Sequence, residues 1–354
     1  MLEFYEPQAD FGTPESDSET MITLSIDGVN VTVPEGSSVM RAASESGIKI
    51  PRLCATDSLK SFGSCRICLV EIEGRRGFPA SCTTTVEEGM EVKTQSDDIG
   101  KLRRNVMELY ISDHPLDCLT CPTNGDCELQ DTAGEVGLRS VRYGFEGDNH
   151  LVAEKDESNP YFTFDPSKCI VCSRCVRACE ETQGTFALTI DGRGFESKVS
   201  AGQDEAFMDS DCVSCGACAQ TCPTSAISDV FQSKSVEADK TVRTTCSYCG
   251  VGCNLEVAVK NDEVLSIRAP QDAVNEGHTC LKGRYAFKFY NHEDRLTSPL
   301  IRKNGELTPC SWDEALDFIK DKFESIKEDH GSDSIAGISS ARCTNEENYM
   351  FQKM

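Results

Sequence analysis

The stretch CIVCSRCVRAC, residues 169–179, and its repeat CVSCGACAQTC, residues 212–222, decide the fold of this chain. Each copy places four cysteines at the spacing C-x2-C-x2-C-x3-C, and the second copy begins 43 residues after the first (212 minus 169). Four thiolates are the ligand set of a [4Fe-4S] cluster, and the second copy predicts another cluster in the same small domain. The repeat therefore predicts a protein organised around iron–sulfur clusters.

The ligands of these two clusters follow from the pattern of the runs. In bacterial ferredoxins with two such runs, the fourth cysteine of each run binds the cluster of the other run. We therefore assign one cluster to Cys169, Cys172, Cys175 and Cys222, and the other to Cys212, Cys215, Cys218 and Cys179. Proline follows Cys222 as expected, whereas Glu180 follows Cys179. Since proline is not a ligand, this departure leaves both sets unchanged.

Upstream of the repeat, residues 21–98 predict a β-grasp domain. The segment MITLSIDGVNVTVP, residues 21–34, alternates apolar and polar residues on both sides of Asp27-Gly28, which predicts a β-hairpin with a two-residue turn. Ser37 or Ser38 can cap a short helix that Gly47 ends. A hairpin followed by a helix and a cysteine loop resembles the β-grasp fold of plant-type ferredoxins.

The cysteine loop of this domain predicts a [2Fe-2S] cluster. Its ligands would be Cys54, Cys65, Cys68 and Cys82, at the spacing C-x10-C-x2-C-x13-C. The small residues in SFGSCRIC let backbone amides approach the cluster sulfurs, which is one control on reduction potential. A zinc site is the alternative for these four cysteines.

We number the sets along the chain, so that the set of Cys54 is the first and the two runs of the repeat are the third and fourth. The second set lies between the two ferredoxin-like regions and contains a histidine. Leu102, Val106 and Leu109 are spaced as on one face of a helix that packs this module on the next. A set with the spacing H-x3-C-x2-C-x5-C follows and comprises His114, Cys118, Cys121 and Cys127. A neutral imidazole in place of a thiolate removes a negative charge and should raise the potential of a [4Fe-4S] cluster, as in Rieske centres. Taken alone, a histidine before a proline is more often a surface residue.

A fifth set lies downstream of the repeat, at the spacing C-x2-C-x3-C-x26-C. It comprises Cys246, Cys249, Cys253 and Cys280. The spacing alone fits zinc as well as iron, but after four cluster motifs we interpret it as a further [4Fe-4S] site. Cys310 and Cys343 have no partners at ligand spacing, and we expect both to be small buried apolar residues.

Composition limits the classes of function. The formal net charge of −24 argues against binding to nucleic-acid backbones. Twenty-one cysteines, an odd number, without an export signal argue against a disulfide framework. No stretch approaches the roughly 18 apolar residues of a membrane span, so we expect a cytoplasmic protein.

The predicted fold class is α+β, with iron–sulfur modules in series, each with only a small hydrophobic core. Polar segments at 147–160 and 233–240 are the expected connectors. The predicted order is an acidic flexible tail (1–20), the β-grasp [2Fe-2S] domain (21–98), a His/Cys3 [4Fe-4S] domain (99–150), a two-[4Fe-4S] ferredoxin domain (151–235), a [4Fe-4S] domain that opens a molybdopterin oxidoreductase (240–295) and the incomplete start of the molybdopterin-binding domain (296–354).

The order of the modules carries a family resemblance. The first four clusters resemble the amino-terminal part shared by [FeFe]-hydrogenases and the large iron–sulfur subunit of respiratory complex I. CSYCGVGC (246–253) with CLKG (280–283) looks like the opening of a molybdopterin oxidoreductase. SPLIR (298–302), SWDEAL (311–316) and CTNEENYMFQK (343–353) resemble its continuation in the catalytic subunit of cytoplasmic NAD(P)-linked formate dehydrogenases.

This resemblance implies a function. Such enzymes interconvert formate and carbon dioxide at molybdenum or tungsten held by two pyranopterins. Electrons pass through one [2Fe-2S] and four [4Fe-4S] clusters to a partner with FMN, NAD(P) and iron–sulfur clusters, beside a small [2Fe-2S] subunit; ferredoxin is a further acceptor that the resemblance allows. Lys282 would link pterin and fifth cluster, although a lysine there is otherwise an ordinary surface residue.

The resemblance also leaves alternatives open. In the family, the selenocysteine or cysteine that binds the catalytic metal follows the segment matching NEENYMFQKM, so we expect no catalytic metal ligand among these 354 residues. The second hypothesis is a non-catalytic electron-transfer subunit of an NAD(P)-linked and electron-bifurcating oxidoreductase. A hydrogenase ranks lower, because the fifth motif stands where its further cysteine-rich domain would begin.

Overall fold

The computed structural model describes residues 9–143, 148–151, 153–224, 226–230 and 237–354. The expected tail and connectors therefore fall partly outside the described residues, at 1–8, 147, 152 and 233–236. The helices are α1 (Val39–Glu45), α2 (Asp97–Ile111), α3 (Glu128–Glu135), α4 (Arg174–Arg177), α5 (Ala217–Thr221), α6 (Leu281–Tyr285), α7 (Trp312–His330) and α8 (Asn345–Lys353). The strands are β1 (Met21–Ile26), β2 (Val29–Pro34), β3 (Glu71–Ile72), β4 (Glu91–Lys93), β5 (Phe162–Phe164), β6 (Leu188–Asp191), β7 (Lys198–Ala201), β8 (Ile227–Asp229), β9 (Lys240–Thr245), β10 (Asn254–Lys260), β11 (Glu263–Arg268), β12 (Leu300–Lys303) and β13 (Glu306–Pro309).

The chain divides into two compact units. The first comprises Met1–Thr244 with Cys253–Tyr285, and the second comprises Thr245–Gly252 with Ala286–Met354. Both helices and short sheets occur throughout, which confirms the α+β class with serial modules. No helix within the described ranges is long and apolar enough to cross a bilayer.

The predicted hairpin opens a four-stranded sheet of order β2-β1-β4-β3 in the first unit. Strands β1 and β2 pair in antiparallel fashion through Ile26 and Val29, and β1 pairs in parallel with β4. Asp27 and Gly28 both have positive φ, at 49° and 82°, as a type I′ turn requires. Ser38 caps α1 by accepting a hydrogen bond from the Arg41 backbone N–H. The sequence-based prediction of hairpin and helix is confirmed.

The predicted apolar face of α2 is wrong at Leu109, whereas Val106 packs against a buried apolar cluster as predicted. Leu109 is 56% exposed, whereas Ile99, Arg103 and Met107 are buried. These three residues also follow helical spacing, and the Arg103 guanidinium can be buried because its Nη2 donates to the Leu69 carbonyl oxygen at 2.6 Å. A buried arginine paired with a backbone carbonyl is not visible in a count of apolar residues.

Part of the predicted flexible tail is docked on the β-grasp domain, so that prediction is wrong for residues 10–16. Thr13 is 3% exposed, and its carbonyl accepts a hydrogen bond from Arg41 Nη1 at 2.7 Å. The same guanidinium lies over the Phe11 ring, 5.2 Å from its centroid, a cation–π contact. We call residues 10–16 the docked arm.

We expect Gly12→Ala to release the docked arm. Gly12 has φ +93°, and an added Cβ would lie 2.6 Å from the buried Met40 sulfur. The left-handed backbone alone costs an alanine about 1–2 kcal/mol. Limited proteolysis followed by mass spectrometry should show earlier cleavage within the arm.

Gly47→Ala is the matched control for this substitution. Gly47 also has positive φ, at +76°, but an added Cβ there meets nothing within 4 Å. Its protease pattern should match that of the parent protein. Unchanged resistance of the arm in Gly12→Ala would contradict the expected clash.

The ferredoxin repeat forms the second core of the first unit. Strand β5 pairs with β8 and β6 with β7, both antiparallel. Phe207 packs edge-on against Phe162, with ring centroids 5.1 Å apart. The chain after α4 continues as a π-helix, Ala178–Gln183, that contains Cys179. A π-helix is rare and often marks a functional site.

The carboxyl-terminal part of the chain contributes to both units. Strands β9, β10 and β11 form a three-stranded sheet of order β11-β10-β9. In the second unit, β12 pairs with β13, and α8 begins with a capping box between Thr344 and Glu347. Cys310 and Cys343 are only partly buried, so the prediction that both are buried is wrong.

Candidate functional site

The first predicted ligand set is gathered in one buried loop cluster. Cys54, Cys65, Cys68 and Cys82 are each at most 1% exposed. Cys68 and Cys82 sulfurs lie 3.5 Å apart, and the Cys65 backbone N–H donates to the Cys54 sulfur at 3.5 Å. Hydrogen bonds from Cys65 and Cys82 lower the pKa of the Cys54 thiol. The structure therefore brings together the four sulfurs that a [2Fe-2S] cluster needs, with an amide already directed at one of them.

The ferredoxin repeat encloses two cavities with matching linings. One is lined by Cys169, Cys172, Cys175 and Cys222. The other is lined by Cys179, Cys212, Cys215 and Cys218. The fourth cysteine of each run thus lies with the first three of the other run, as the crossed assignment predicts. That these cavities bind [4Fe-4S] clusters stays a prediction.

The chemistry of these cavities fits a cluster. Burial raises the pKa of Cys169 and of Cys172 to about 12. Such thiols keep their protons at neutral pH unless a metal takes the proton's place. No three His, Cys, Asp or Glu side chains of the described residues are arranged to hold a single metal ion. Instead, each cavity is lined by four cysteines, which is the ligand number of a [4Fe-4S] cluster.

The cysteines of the histidine-containing set are less buried than those of the first set. His114 is 9% exposed, and its Nδ1 has no hydrogen-bond partner. Burial lowers the pKa of His114 and so favours the neutral imidazole, which is the form that binds metal. Burial raises the pKa of Cys127. His114 thus offers a nitrogen that can serve as a ligand, and that these four residues bind one cluster stays a prediction.

We expect His114→Cys to keep this cluster and lower its reduction potential. A fourth thiolate adds negative charge and disfavours the reduced state. A tenfold change in the reduction equilibrium would correspond to about 59 mV for one electron. An EPR-monitored redox titration measures it, with His150→Cys as the control, because His150 instead pairs with Asp113 at 2.7 Å. A potential that stays unchanged would contradict ligation by His114.

We call the cysteines predicted to bind one cluster, together with the loops that carry them, a cage. Two arginines of α4 connect the cages of the first three sets. Arg174 is 3% exposed and forms a two-pronged ion pair with Glu128, at 2.6 and 2.7 Å. It also donates to the carbonyls of Ala55 and Thr221. Each partner is next in sequence to a predicted ligand: Ala55 to Cys54 of the first cluster, Glu128 to Cys127 of the second and Thr221 to Cys222 of the third. Arg177 donates to the Cys54 carbonyl.

The cage of the first set lies directly against that of the third. Ser64 Oγ donates to the Cys172 carbonyl at 3.1 Å. Cys54, Cys65 and Cys172 belong to one buried apolar cluster, which we call the shared core; its other buried members are Leu53, Ile67, Met107, Leu129 and Ile170. A short, water-poor path therefore connects the two cages.

A buried ion pair joins the ferredoxin repeat to the segment after Cys280. Arg284 and Asp229 lie 2.8 Å apart, with side chains 3% and 4% exposed. Arg284 Nη1 also donates to Gln220 Oε1 at 2.9 Å, and Tyr285 donates to Asp229 at 2.5 Å. This network fixes α6 to α5 and β8 in the first unit. Gln220, between Cys218 and Cys222, continues it to the Ala269 backbone.

The fifth set stays a prediction. Cys246 and Cys249 belong to the second unit, whereas Cys253 and Cys280 belong to the first. Cys280 is exposed, and Lys282 is exposed on α6, as both interpretations of this lysine allow. Sequence reasoning missed Arg174, Arg177 and Lys168; their signal was a charged side chain inside or beside a cysteine run that is otherwise buried.

Five family models match consecutive parts of the chain. In order they are a 2Fe-2S iron-sulfur cluster binding domain (19–97), the NADH-ubiquinone oxidoreductase-G iron-sulfur binding region (103–142), a 4Fe-4S dicluster domain (168–226), the molybdopterin oxidoreductase Fe4S4 domain (239–292) and the molybdopterin oxidoreductase domain (295–354). This order agrees with the order of motifs in the sequence.

Similar proteins extend beyond this chain. A probable oxidoreductase, YjgC of Bacillus subtilis (strain 168), is 33% identical over 374 residues, covering 94% of this chain and 38% of the relative. A putative formate dehydrogenase of Staphylococcus aureus (strain MRSA252) is 32% identical with the same coverage. The chain thus spans about 38% of the length of these relatives.

Among solved structures, the chain is similar to one of an NAD+-reducing [NiFe]-hydrogenase in its H2-reduced state. The likeness has a TM-score of 0.56 and 29% sequence identity. It covers 62% of this chain and 92% of the hydrogenase chain.

Proposed function

Because the chain is a multi-cluster iron–sulfur subunit of the molybdopterin oxidoreductase family, we propose that it carries electrons from formate oxidation to NAD(P). The electrons would leave a molybdenum or tungsten centre and reach a flavin-bearing partner. The family models give the module order, and a relative is named as a putative formate dehydrogenase. A reducing cytoplasm keeps thiolates available for clusters, and we propose that compartment.

The contact between cages is the observation that carries this proposal. The Ser64 hydrogen bond to Cys172 and the shared core support electron transfer between the first and third sets. The two cavities of the repeat continue the path toward the fourth set. The Arg284–Asp229 pair then fixes the segment that follows Cys280 of the fifth set. The proposed path of electrons would therefore run from the molybdopterin end of the chain to the β-grasp end.

The cofactors follow from the donor sets. We propose one [2Fe-2S] cluster on the first set and four [4Fe-4S] clusters on the others. Bound pyranopterins would supply the metal at which formate loses two electrons, in the complete subunit. Lys282, exposed beside Cys280, would bind the pterin at the fifth cluster. The protein's contribution along the path is to position clusters and to exclude water.

The proposed partners carry the flavin chemistry. We propose an FMN- and NAD(P)-binding iron–sulfur subunit and a small [2Fe-2S] subunit, with ferredoxin as a further acceptor. The likeness to a chain of an NAD+-reducing hydrogenase supports an assembly of this kind. The β-grasp end would face the flavin partner.

Formate-dependent reduction of a viologen dye tests the proposed activity in the complete native subunit. Metal analysis of the same sample should give molybdenum or tungsten and about 18 iron atoms, from 2 plus four times 4. Omission of formate is the control for dye reduction. A sample with full iron content but neither metal nor activity would contradict the proposal, and a zinc-only sample would contradict the relay itself.

A non-catalytic electron-transfer subunit is the second candidate. The likeness to a hydrogenase chain favours it, because that likeness covers 92% of the hydrogenase chain and 62% of this chain. It predicts a complex that passes electrons between NAD(P)H and a dye, contains no molybdenum or tungsten and ignores formate. Those three measurements separate the two candidates.

A further inference from the structure

Lys168 reaches from the cage of the third set into that of the second. It ends a 3-10 helix, Pro166–Lys168, and directly precedes Cys169. Its carbonyl accepts a hydrogen bond from Thr224 Oγ1 at 2.9 Å. Its ammonium lies 3.7 Å from the Cys121 sulfur. The Lys168 backbone is thus fixed beside the third set, while its ammonium group lies beside a predicted ligand of the second set.

The ammonium is held in place and mostly shielded from water. The Lys168 side chain is 12% exposed, and its Nζ pairs with Asp117 Oδ2 at 3.1 Å. Asp117 is 43% exposed, so water screens its charge more than that of the lysine. The net effect at the Cys121 sulfur is therefore positive.

We propose that Lys168 raises the reduction potential of the cluster on His114, Cys118, Cys121 and Cys127. Reduction brings one electron from a neighbouring reduced cluster and adds one negative charge, with no bond formed or broken. A fixed positive charge beside a ligand sulfur stabilises that reduced state. The proposal rests on the proposed relay and explains how the second cluster acquires electrons beside the third. Lys168 acts as a positioning charge and is not a ligand.

An EPR-monitored redox titration of the complete, cluster-loaded subunit tests this proposal. Cys121→Ser first identifies the signal of the second cluster by its loss. Lys168→Met should then lower the equilibrium constant for reducing that cluster about tenfold, a shift of about 59 mV for one electron. Lys168→Arg should stay close to the parent value. Asp117→Asn, which removes the opposing charge, should shift the potential upward.

Lys155→Met is the matched control. Lys155 also pairs with a carboxylate, Glu157 at 2.7 Å, but its side chain is 45% exposed, so its removal should leave the potential unchanged. An unchanged potential in Lys168→Met, or a downward shift in Asp117→Asn, would overturn the inference. If Lys168→Met fails to load its clusters, the direction of the shift in Asp117→Asn still tests the sign of the effect. Absence of cluster signals in the parent protein would instead refute the proposed relay.

Discussion

Replacing Cys222 by serine is expected to remove the cluster of the Cys169 run, although Cys222 belongs to the other run in sequence. The reason is that Cys222 lines the cavity of Cys169, Cys172 and Cys175. A serine hydroxyl is a poor substitute for a thiolate, so iron content should fall by about four atoms. Electron flow along the proposed path should stop, since the cluster of this cavity would be one of its steps.

Paired variants make the assignment decisive. Cys172→Ser should lose the same EPR signal as Cys222→Ser. Cys179→Ser and Cys215→Ser should share the loss of a different signal, because they line the second cavity. Iron and sulfide analysis with EPR of dithionite-reduced protein measures all four. Grouping of Cys222→Ser with Cys215→Ser would refute crossed ligation.

Arg174→Met is expected to destabilise the first unit strongly. The substitution leaves the Glu128 carboxylate and the carbonyls of Ala55 and Thr221 without their donor. Because the Glu128 side chain is 47% exposed, water screens part of this ion pair, and the cost should lie below the roughly 3–5 kcal/mol for breaking a fully buried pair. The chain contains several clusters, so unfolding is not two-state. The suitable measurement is the temperature at which half of the visible cluster absorbance is lost, together with iron content.

Two further variants interpret the Arg174→Met result. Arg75→Met removes an arginine whose partner Glu87 is exposed, with the two side chains 38% and 68% exposed; such a pair contributes at most about 1 kcal/mol. Arg174→Lys keeps the charge but lacks the guanidinium fork that reaches three partners. Its bleaching temperature should lie between those of the parent and Arg174→Met. A bleaching temperature equal to that of the parent in Arg174→Met would show that these contacts contribute little.

Much of the site was predictable because cysteine spacing is a local property. The first three cysteines of a run such as CIVCSRCVRAC line one cavity, and the fourth lines the cavity of the other run, as the two-run pattern predicts. The hairpin turn Asp27-Gly28 follows from two residues. The buried face of α2 was only partly predictable, since Ile99 and Met107 compete with an equally regular set, Leu102, Val106 and Leu109, on an adjacent face. What decides is the pairing of Arg103 with the Leu69 carbonyl.

The contacts between modules were beyond sequence reasoning for a related reason. Arg174 meets carbonyls of residues far apart in the chain, and no periodicity encodes such partners. The docked arm likewise depends on Arg41 from α1. Acidic composition at the start of the chain predicts solubility, but it does not predict whether a glycine there fits against Met40.

The shared core makes the predicted domain boundaries poor places to divide the protein. Ile67 comes from the β-grasp region, Met107 and Leu129 from the region of the second set, and Ile170 from the ferredoxin repeat. A fragment ending at residue 98 would expose the inner side of this core to water and lose the contacts that Arg174 and Arg177 provide. Water is excluded from this core only after segments distant in sequence have come together. The loops that carry the ligands of the first and third clusters should therefore fold together. The first and third clusters should therefore be inserted cooperatively, and a missing cluster at one site should lower cluster occupancy at the other.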